Sequence, residues 1–477
     1  MKRSTGVLTA VAVAVIAYVG TTWYVGKQAQ QAIERAVAQA NERMADLMLT
    51  QPTVQGGKLT VAEYRRRVFS ADVVYSLQLQ DEAGQTQEFL LSDRLQHGPF
   101  PLAAISAGDL TPMLAFSRSA LLPSAATQPW FDSLNGQSPV TGVTKVRFGG
   151  SASSDWSFKP LSMVKKDQVL KFSGGAMQVS LDNNFANSRV TGAFDDLSYA
   201  QGLEAERISV TGFSIQYDAL QDGNTKSMSA TTQATNLSLD SSGQEVLALK
   251  DFVMRASSKQ VGDLAEGSVR YDFGQLRSDG LDLGKLTLGA AARDLSMPAL
   301  TALAAAYDDL SERHGPDMET WQLSPQEATQ LQERVLALLA TDPVLTFDPM
   351  VWSNQKGESL AKLTVELTRP AVDGFSSLDE LLLKMLRSLD LEIKVEKAMF
   401  VEALGRLQPD GHTPDTAALS AAIYDNYASR LQAAGLASET DGVASSKIVY
   451  RDGRVDANGK VMEVPEFMQR ALLVFLL

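Results

Sequence analysis

The sequence predicts an α+β, β-rich fold: a single N-terminal transmembrane helix, then a long curved antiparallel sheet with packing helices. Three observations carry that reading. Residues 4–26 hold no charged side chain. From about residue 58 to residue 292, apolar and polar residues alternate with a period of two, as in strands with one apolar and one polar face. After residue 292, capping residues and prolines open helices between further alternating stretches. The expected division is an anchor with a cytoplasmic N-terminus over 1–26, a helical stalk and linker over 27–57, an antiparallel β-rich periplasmic region over 58–292, and a mixed α+β region over 293–477.

The anchor comes first. Its 23 uncharged positions span roughly 35 Å as a helix, enough for a hydrocarbon core of about 30 Å. Lys2 and Arg3 precede the run and Trp23 and Tyr24 close it. The positive-inside rule therefore holds the N-terminus in the cytoplasm and sends the bulk across the bacterial inner membrane. Ala12-Val13-Ala14 has the look of a signal-peptide cleavage site. The apolar run continues to Val25, however, which favours a retained anchor.

Next, Ala29, Ile33, Val37, Ala40, Met44 and Leu47 form an apolar stripe at helical spacing. It fits a stalk, the seam of a homodimer, or a helix packed on its own domain. Pro52 and Gly56-Gly57 end it.

The β-rich stretch follows. Val73, Tyr75, Leu77 and Leu79 alternate with polar residues, as do Val269, Tyr271 and Phe273. Asp222-Gly223-Asn224, Ser241-Ser242-Gly243 and Ser278-Asp279-Gly280 supply the turns. Between Leu281 and Leu288 the apolar phase slips by one at Gly284-Lys285, which predicts a bulge. Six prolines between Pro99 and Pro139 mark a crossing segment with short helices.

Beyond residue 292, Ser324-Pro325-Gln326-Glu327 spells a capping box, and Ser377 with Glu380 repeats its spacing. Thr413-Pro414 opens a helix that Gly435 ends. Leu363, Val365 and Leu367, then Leu391, Ile393 and Val395, predict strands. The apolar tail from Ala471 to Leu477 is too short to span a bilayer; it is expected to fill a core, the alternatives being to lie on the membrane surface or contact a partner.

Composition narrows function mostly by exclusion. The chain has 477 residues, 44% hydrophobic and 21% charged, and its net charge of -13 argues against a nucleic-acid partner. There is no cysteine, hence no disulfide, thiolate nucleophile or iron–sulfur cluster. The only histidines are His97, His314 and His412, too dispersed for a metal pair, so no metal and no cofactor is expected. Ser162 and Lys165 have the spacing of a serine–lysine nucleophile pair, but nothing else of that constellation follows, and chance explains it. His97-Gly98-Pro99-Phe100 is the most distinctive local motif. It marks His97 and Phe100, with Arg66 from the Arg65–Arg67 run, as candidate ligand contacts; the plainer readings are a tight turn and a solvated strand face.

Several pieces in order resemble the YdgA-like family of Gram-negative bacterial proteins. They are Tyr64-Arg-Arg-Arg-Val-Phe-Ser70, His97-Gly-Pro-Phe100, Ser153-Ser-Asp155 with Lys159-Pro-Leu161, Phe172-Ser-Gly-Gly175, Asp342-Pro-Val344 with Trp352 and Gly357-Glu-Ser359, and Asn458-Gly459. Arg67 stands where that family usually has glycine. The resemblance implies an inner-membrane anchor and a periplasmic body, and no catalytic residues. The Leu281-to-Leu300 stretch is also loosely similar in rhythm to AsmA-like envelope proteins associated with lipid movement. The expected function is a non-enzymatic envelope scaffold or interaction module. The alternative is binding or transfer of lipid, or another apolar ligand, in a β-sheet groove. Partners would be the inner membrane through residues 4–26 and a lipid or an envelope protein.

Overall fold

The computed structural model describes residues 37, 38 and 41, then 56–476 apart from 68–69, 81–83, 98–99, 166–167, 183–185, 203–205, 316–319, 371–383 and 408–413. The anchor at 4–26, most of the stripe at 27–49 and the second capping box at Ser377 lie outside the described residues. Among the described residues no helix is long and apolar enough to cross a membrane. The described chain is β-rich, its strands antiparallel, with few helices. It divides into two compact units, one of residues 1–222 with 230–246 and one of residues 223–229 with 247–477.

In the first unit the strands are β1 (Gly56–Arg66), β2 (Ser70–Gln80), β3 (Thr86–His97), β4 (Ala115–Leu122), β5 (Val140–Val146) and β6 (Ala152–Phe158). They continue as β7 (Leu161–Lys165), β8 (Gln168–Phe172), β9 (Gly175–Leu181), β10 (Ser188–Gln201) and β11 (Glu206–Asp222). β1 to β6 pair in chain order, then β6 pairs β9, β9 pairs β10 and β10 pairs β11. The β7–β8 hairpin enters beside β9, with β8 on the second half of β10. Period-two positions Val73, Tyr75, Leu77 and Leu79 face Phe89, Leu91 and Leu95 in one core, together with Trp156 and Val179. Each such large apolar side chain contributes roughly 1.5–3 kcal/mol when buried.

The proline-rich segment holds two short helices, α1 (Leu102–Ser106) and α2 (Gln128–Ser133). It also holds β4, which its sequence conceals. The inward positions of β4 include Ser117 and Ser119, both buried, so the apolar alternation is missing there. Helical structure is present at Val37, Ala38 and Asn41. Val37 packs into the β core, and Asn41 bonds both backbone groups of Leu59 on β1, at 2.8 and 2.9 Å.

β12 (Thr225–Ser241) and β13 (Gln244–Val261) each give residues to both units. The second unit continues with β14 (Leu264–Ser278), β15 (Leu281–Ser296), β16 (Val344–Asn354), β17 (Gly357–Leu367) and β18 (Leu386–Glu396). β19 (Ser438–Thr440), β20 (Val443–Arg451), β21 (Arg454–Ala457) and β22 (Lys460–Glu463) complete it. β13 to β18 pair in chain order, β18 pairs β20, and β20 pairs β19 and β21, which share its other edge; β21 pairs β22. The bulge expected at Gly284 is present: Gly284 adopts φ +82°, and the β14–β15 register shifts opposite it. A Cβ there would lie 2.3 Å from the Ser353 carbonyl oxygen, so the close approach of β16 also requires glycine.

Among the described residues the α-helices of this unit are α3 (Met297–His314), α4 (Pro325–Leu338), α5 (Lys397–Leu407) and α6 (Pro414–Ala433), with α7 (Val464–Leu476) after the last strand. Ser324 and Glu327 form the full capping box at the start of α4. Gly435, at φ +73°, follows the end of α6. Of the apolar tail, Val474 is buried with Val455, Ala457 and Met462 and Ala471 packs against them, whereas Leu472 is 55% exposed.

Candidate functional site

The three candidate contacts lie at one end of the first sheet. Arg66 ends β1 and His97 ends β3, at the same end of the first sheet. They are close enough to interact: the His97 imidazole is held below its ordinary pKa, first by burial and then by the positive charge of Arg66. Phe100 lies beyond the strand with 54% of its surface exposed. In the arginine run, Arg65 pairs with Glu63, and Arg67 pairs with Asp72 at 2.8 Å. Ser162 lies on β7, a strand and not the helix on which a three-residue spacing brings side chains together. It borders an open cleft of about 630 Å³ with Pro160, Lys171, Phe172, Asp196 and Val210. Among the described residues no group of three His, Cys, Asp or Glu side chains is placed to hold a metal.

One buried polar set escaped sequence reasoning. Asp93 lies inside the first core, where Ser117 and Ser119 both donate to its Oδ1, the latter at 3.0 Å. Among the described residues its Oδ2, the Tyr75 hydroxyl and the Trp156 indole nitrogen have no hydrogen-bond partner. Burial pushes the Asp93 carboxyl up to about 6 against the lowering effect of the two serines. Tyr75 is raised well above its ordinary value, by burial first and then by Asp93. The sequence did carry a signal: Asp93 occupies the same period-two phase as Phe89, Leu91 and Leu95.

One face of the second unit's sheet is only partly covered, Ser359 on it meeting Met399 of α5 at 3.7 Å. Strand registers align Met254 with Tyr271, Tyr271 with Leu288, Leu288 with Met350, Met350 with Ala361 and Ala361 with Ile393. That row crosses six strands, or roughly 24 Å at about 4.8 Å per strand. A second row alongside joins Phe273, Leu286 and Trp352, with the Phe252 ring 5.4 Å from that of Phe273. Every one of these side chains is half-buried and none is fully buried. Farther along the same face, Val455, Ala457 and Met462 are buried beneath α7. The cover therefore thins from β20 toward β13.

The reverse face is mixed, with Val253, Val351 and Leu360 set among charged and polar side chains. Asp272 accepts from Arg255 at 2.8 Å and from Arg270 at 2.8 Å, and Thr287 donates to it at 3.1 Å. The Arg270 hydrogen bond holds Asp272 below the usual carboxylate range. Lys394 pairs with Glu392 at 2.8 Å, and Lys362 lies 3.7 Å from Asp348. One side of the sheet thus carries ion pairs, and the other carries mainly aliphatic and aromatic side chains, with the Tyr271 phenol and Ser359 among them. Such a surface can hold a chain of methylenes.

Protein YdgA of Escherichia coli (strain K12) is 26% identical over 492 aligned positions, covering 95% of this chain and 93% of that protein. The uncharacterized protein YihF of the same organism is 24% identical, covering 98% of each. An uncharacterized protein of Haemophilus influenzae is 21% identical over 60% of this chain and 80% of its own length. No solved structure matches the chain. A family described as Bacterial protein of unknown function (DUF945) matches residues 1–465, and the chain belongs to that family.

Proposed function

We propose that this is a membrane-anchored, non-enzymatic protein of the bacterial periplasm that binds lipid acyl chains on the apolar face of β13–β18. One observation carries the reading: the Met254-to-Ile393 row stays partly exposed across six paired strands, while its reverse face carries the Arg255–Asp272 and Lys394–Glu392 ion pairs. Burying such a face is worth about 25 cal/mol per Å² of apolar area removed from water. A row of roughly 24 Å exceeds one leaflet's share, about 15 Å, of the hydrocarbon thickness, so it has the length for an acyl chain laid across the strands. The uncharged run at 4–26 supplies the proximity to lipid.

The test uses the full chain, purified in mild detergent and examined by native mass spectrometry for retained phospholipid. Wild-type protein is expected to carry lipid reproducibly. Leu288→Asp, in the middle of the row, should lose it, and Lys362→Asp on the reverse face should keep it. Wild-type protein that arrives empty, or a Leu288→Asp variant that retains lipid fully, would sink the proposal. Scaffolding through protein partners would then be the better reading.

A further inference from the structure

One end of the first sheet presents a surface unlike the rest of this acidic chain. β1 ends there at Arg66, β2 begins at Ser70, β3 ends at His97, β4 begins at Ala115, and the β5–β6 turn follows Val146. Large apolar side chains protrude from the connections at this end. Phe100 is 54% exposed, Leu102 76%, Leu110 70% and Phe148 55%, with Ile105 beside them at 39%. Scattered exposed apolar residues need no explanation, but five gathered on the loops of one sheet end form a patch.

The same end is basic. Its carboxylates Glu63, Asp72 and Asp109 are already engaged by Arg65, by Arg67 and Arg94, and by Lys145. Arg66, Arg118 and Arg147 have no acidic partner among the described residues. Arg94 and Arg118 are also directly opposed across β3 and β4, an arrangement that like charges disfavour unless an anion joins them. They border a cleft of about 380 Å³ whose other walls include Gln96 and Leu102. α1 is pinned beside that cleft: Gln96 accepts from the Ala103 amide at 2.8 Å, and Arg118 donates to the Ala103 carbonyl at 3.3 Å.

We infer that this end docks on the surface of an anionic phospholipid bilayer. The Arg94–Arg118 cleft would receive a lipid phosphate while Phe100, Leu102, Leu110 and Phe148 enter the interface. Exposed apolar side chains beside unpaired guanidiniums match a surface that offers phosphates at its boundary and hydrocarbon beneath. Chain length allows it. Asn41 is fixed at Leu59, about 23 Å along β1 from Arg66, and the 15 positions from residue 26 to residue 41 reach roughly that far even at helical rise. The net charge of -13 belongs to the whole chain and does not describe this end, whose free charges are positive.

The absence of cysteine makes a direct test available, because a single introduced thiol carries a fluorophore without background. Leu102→Cys, Leu110→Cys and a control, Val164→Cys, are labelled in the full chain; Val164 is 73% exposed on β7, away from this end. Each is reconstituted in vesicles of phosphatidylcholine, with or without phosphatidylglycerol, doped with a nitroxide lipid that quenches on contact. Quenching at residues 102 and 110 should exceed that at 164 severalfold in the anionic vesicles. Arg118→Gln or Arg66→Gln should weaken the contact roughly fivefold each, Arg118→Lys should restore most of it, and added salt should screen it. Quenching no greater than at residue 164 overturns the inference. So does quenching indifferent to lipid charge, or labels shielded by a second copy of the chain instead of by lipid.

Discussion

Asp93 is the residue whose chemistry departs furthest from its surroundings. It is fully buried among Val73, Leu91 and Leu95, with one oxygen satisfied by Ser117 and Ser119 and the other unpaired. Its folded-state pKa of about 6 lies above the unfolded value of 3.8, so the native state binds the proton more tightly. The stabilising contribution is therefore fully present below about pH 4 and is lost as pH rises through about 6. Asp93→Asn keeps the shape and removes the titration. The stability difference between variant and wild type should be small near pH 4. It should grow toward roughly 3 kcal/mol in the variant's favour by pH 8, read from denaturant unfolding at each pH. A difference that stays flat across that range would mean Asp93 is ionised in the fold. The same residue shows where sequence reading runs short. An aspartate in an apolar phase is visible in the sequence, but its serine partners lie 24 and 26 positions away on another strand.

At the scale of elements, β1 matters because it ends the first sheet and pairs only β2 among the described strands. An open edge is a template for unwanted pairing. Asn41 covers part of it: its side-chain amide donates to the Leu59 carbonyl and accepts from the Leu59 amide, as a neighbouring strand would. Asn41→Ala leaves both groups to water and should cost about 1–2 kcal/mol, given about 0.5–1.5 kcal/mol net per bond. Amide exchange is the readout. The Leu59 N–H should exchange markedly faster in the variant while Tyr75 in the middle of β2 stays protected; an unchanged Leu59 rate would show that the contact does not persist in solution. Legibility at this scale follows inward chemistry. β2, β14 and β17 were readable because their inward residues are apolar, and Gly284 announced its bulge by breaking the phase. β4 was hidden because its inward residues are serines committed to Asp93.

For the whole molecule, the contrast lies between a first unit with a continuous buried core and a second whose central sheet has none. Among the described residues nineteen buried side chains form the first unit's cluster, whereas the second unit's compact cluster sits under α7 at β20–β22 and leaves β13–β18 half-covered. The alternation along β13–β18 was legible in the sequence. Whether a layer of helices would close over it was not, because cover depends on where α3 to α7 pack and not on the strands' own pattern. If lipid occupies that face, it binds only the folded state and raises stability by RT ln(1 + [L]/Kd). Removing lipid should then act on one unit alone. Amide exchange measured before and after detergent delipidation of the full chain should quicken in β14–β17, around Leu288 and Met350. It should stay unchanged in β2–β4, around Leu77 and Leu91. Re-addition of phospholipid should restore protection in the wild type but not in Leu288→Asp. Equal loosening of both units would point to detergent damage, and no loosening in either would mean that the sheet is stable bare and that its apolar face has a purpose other than lipid.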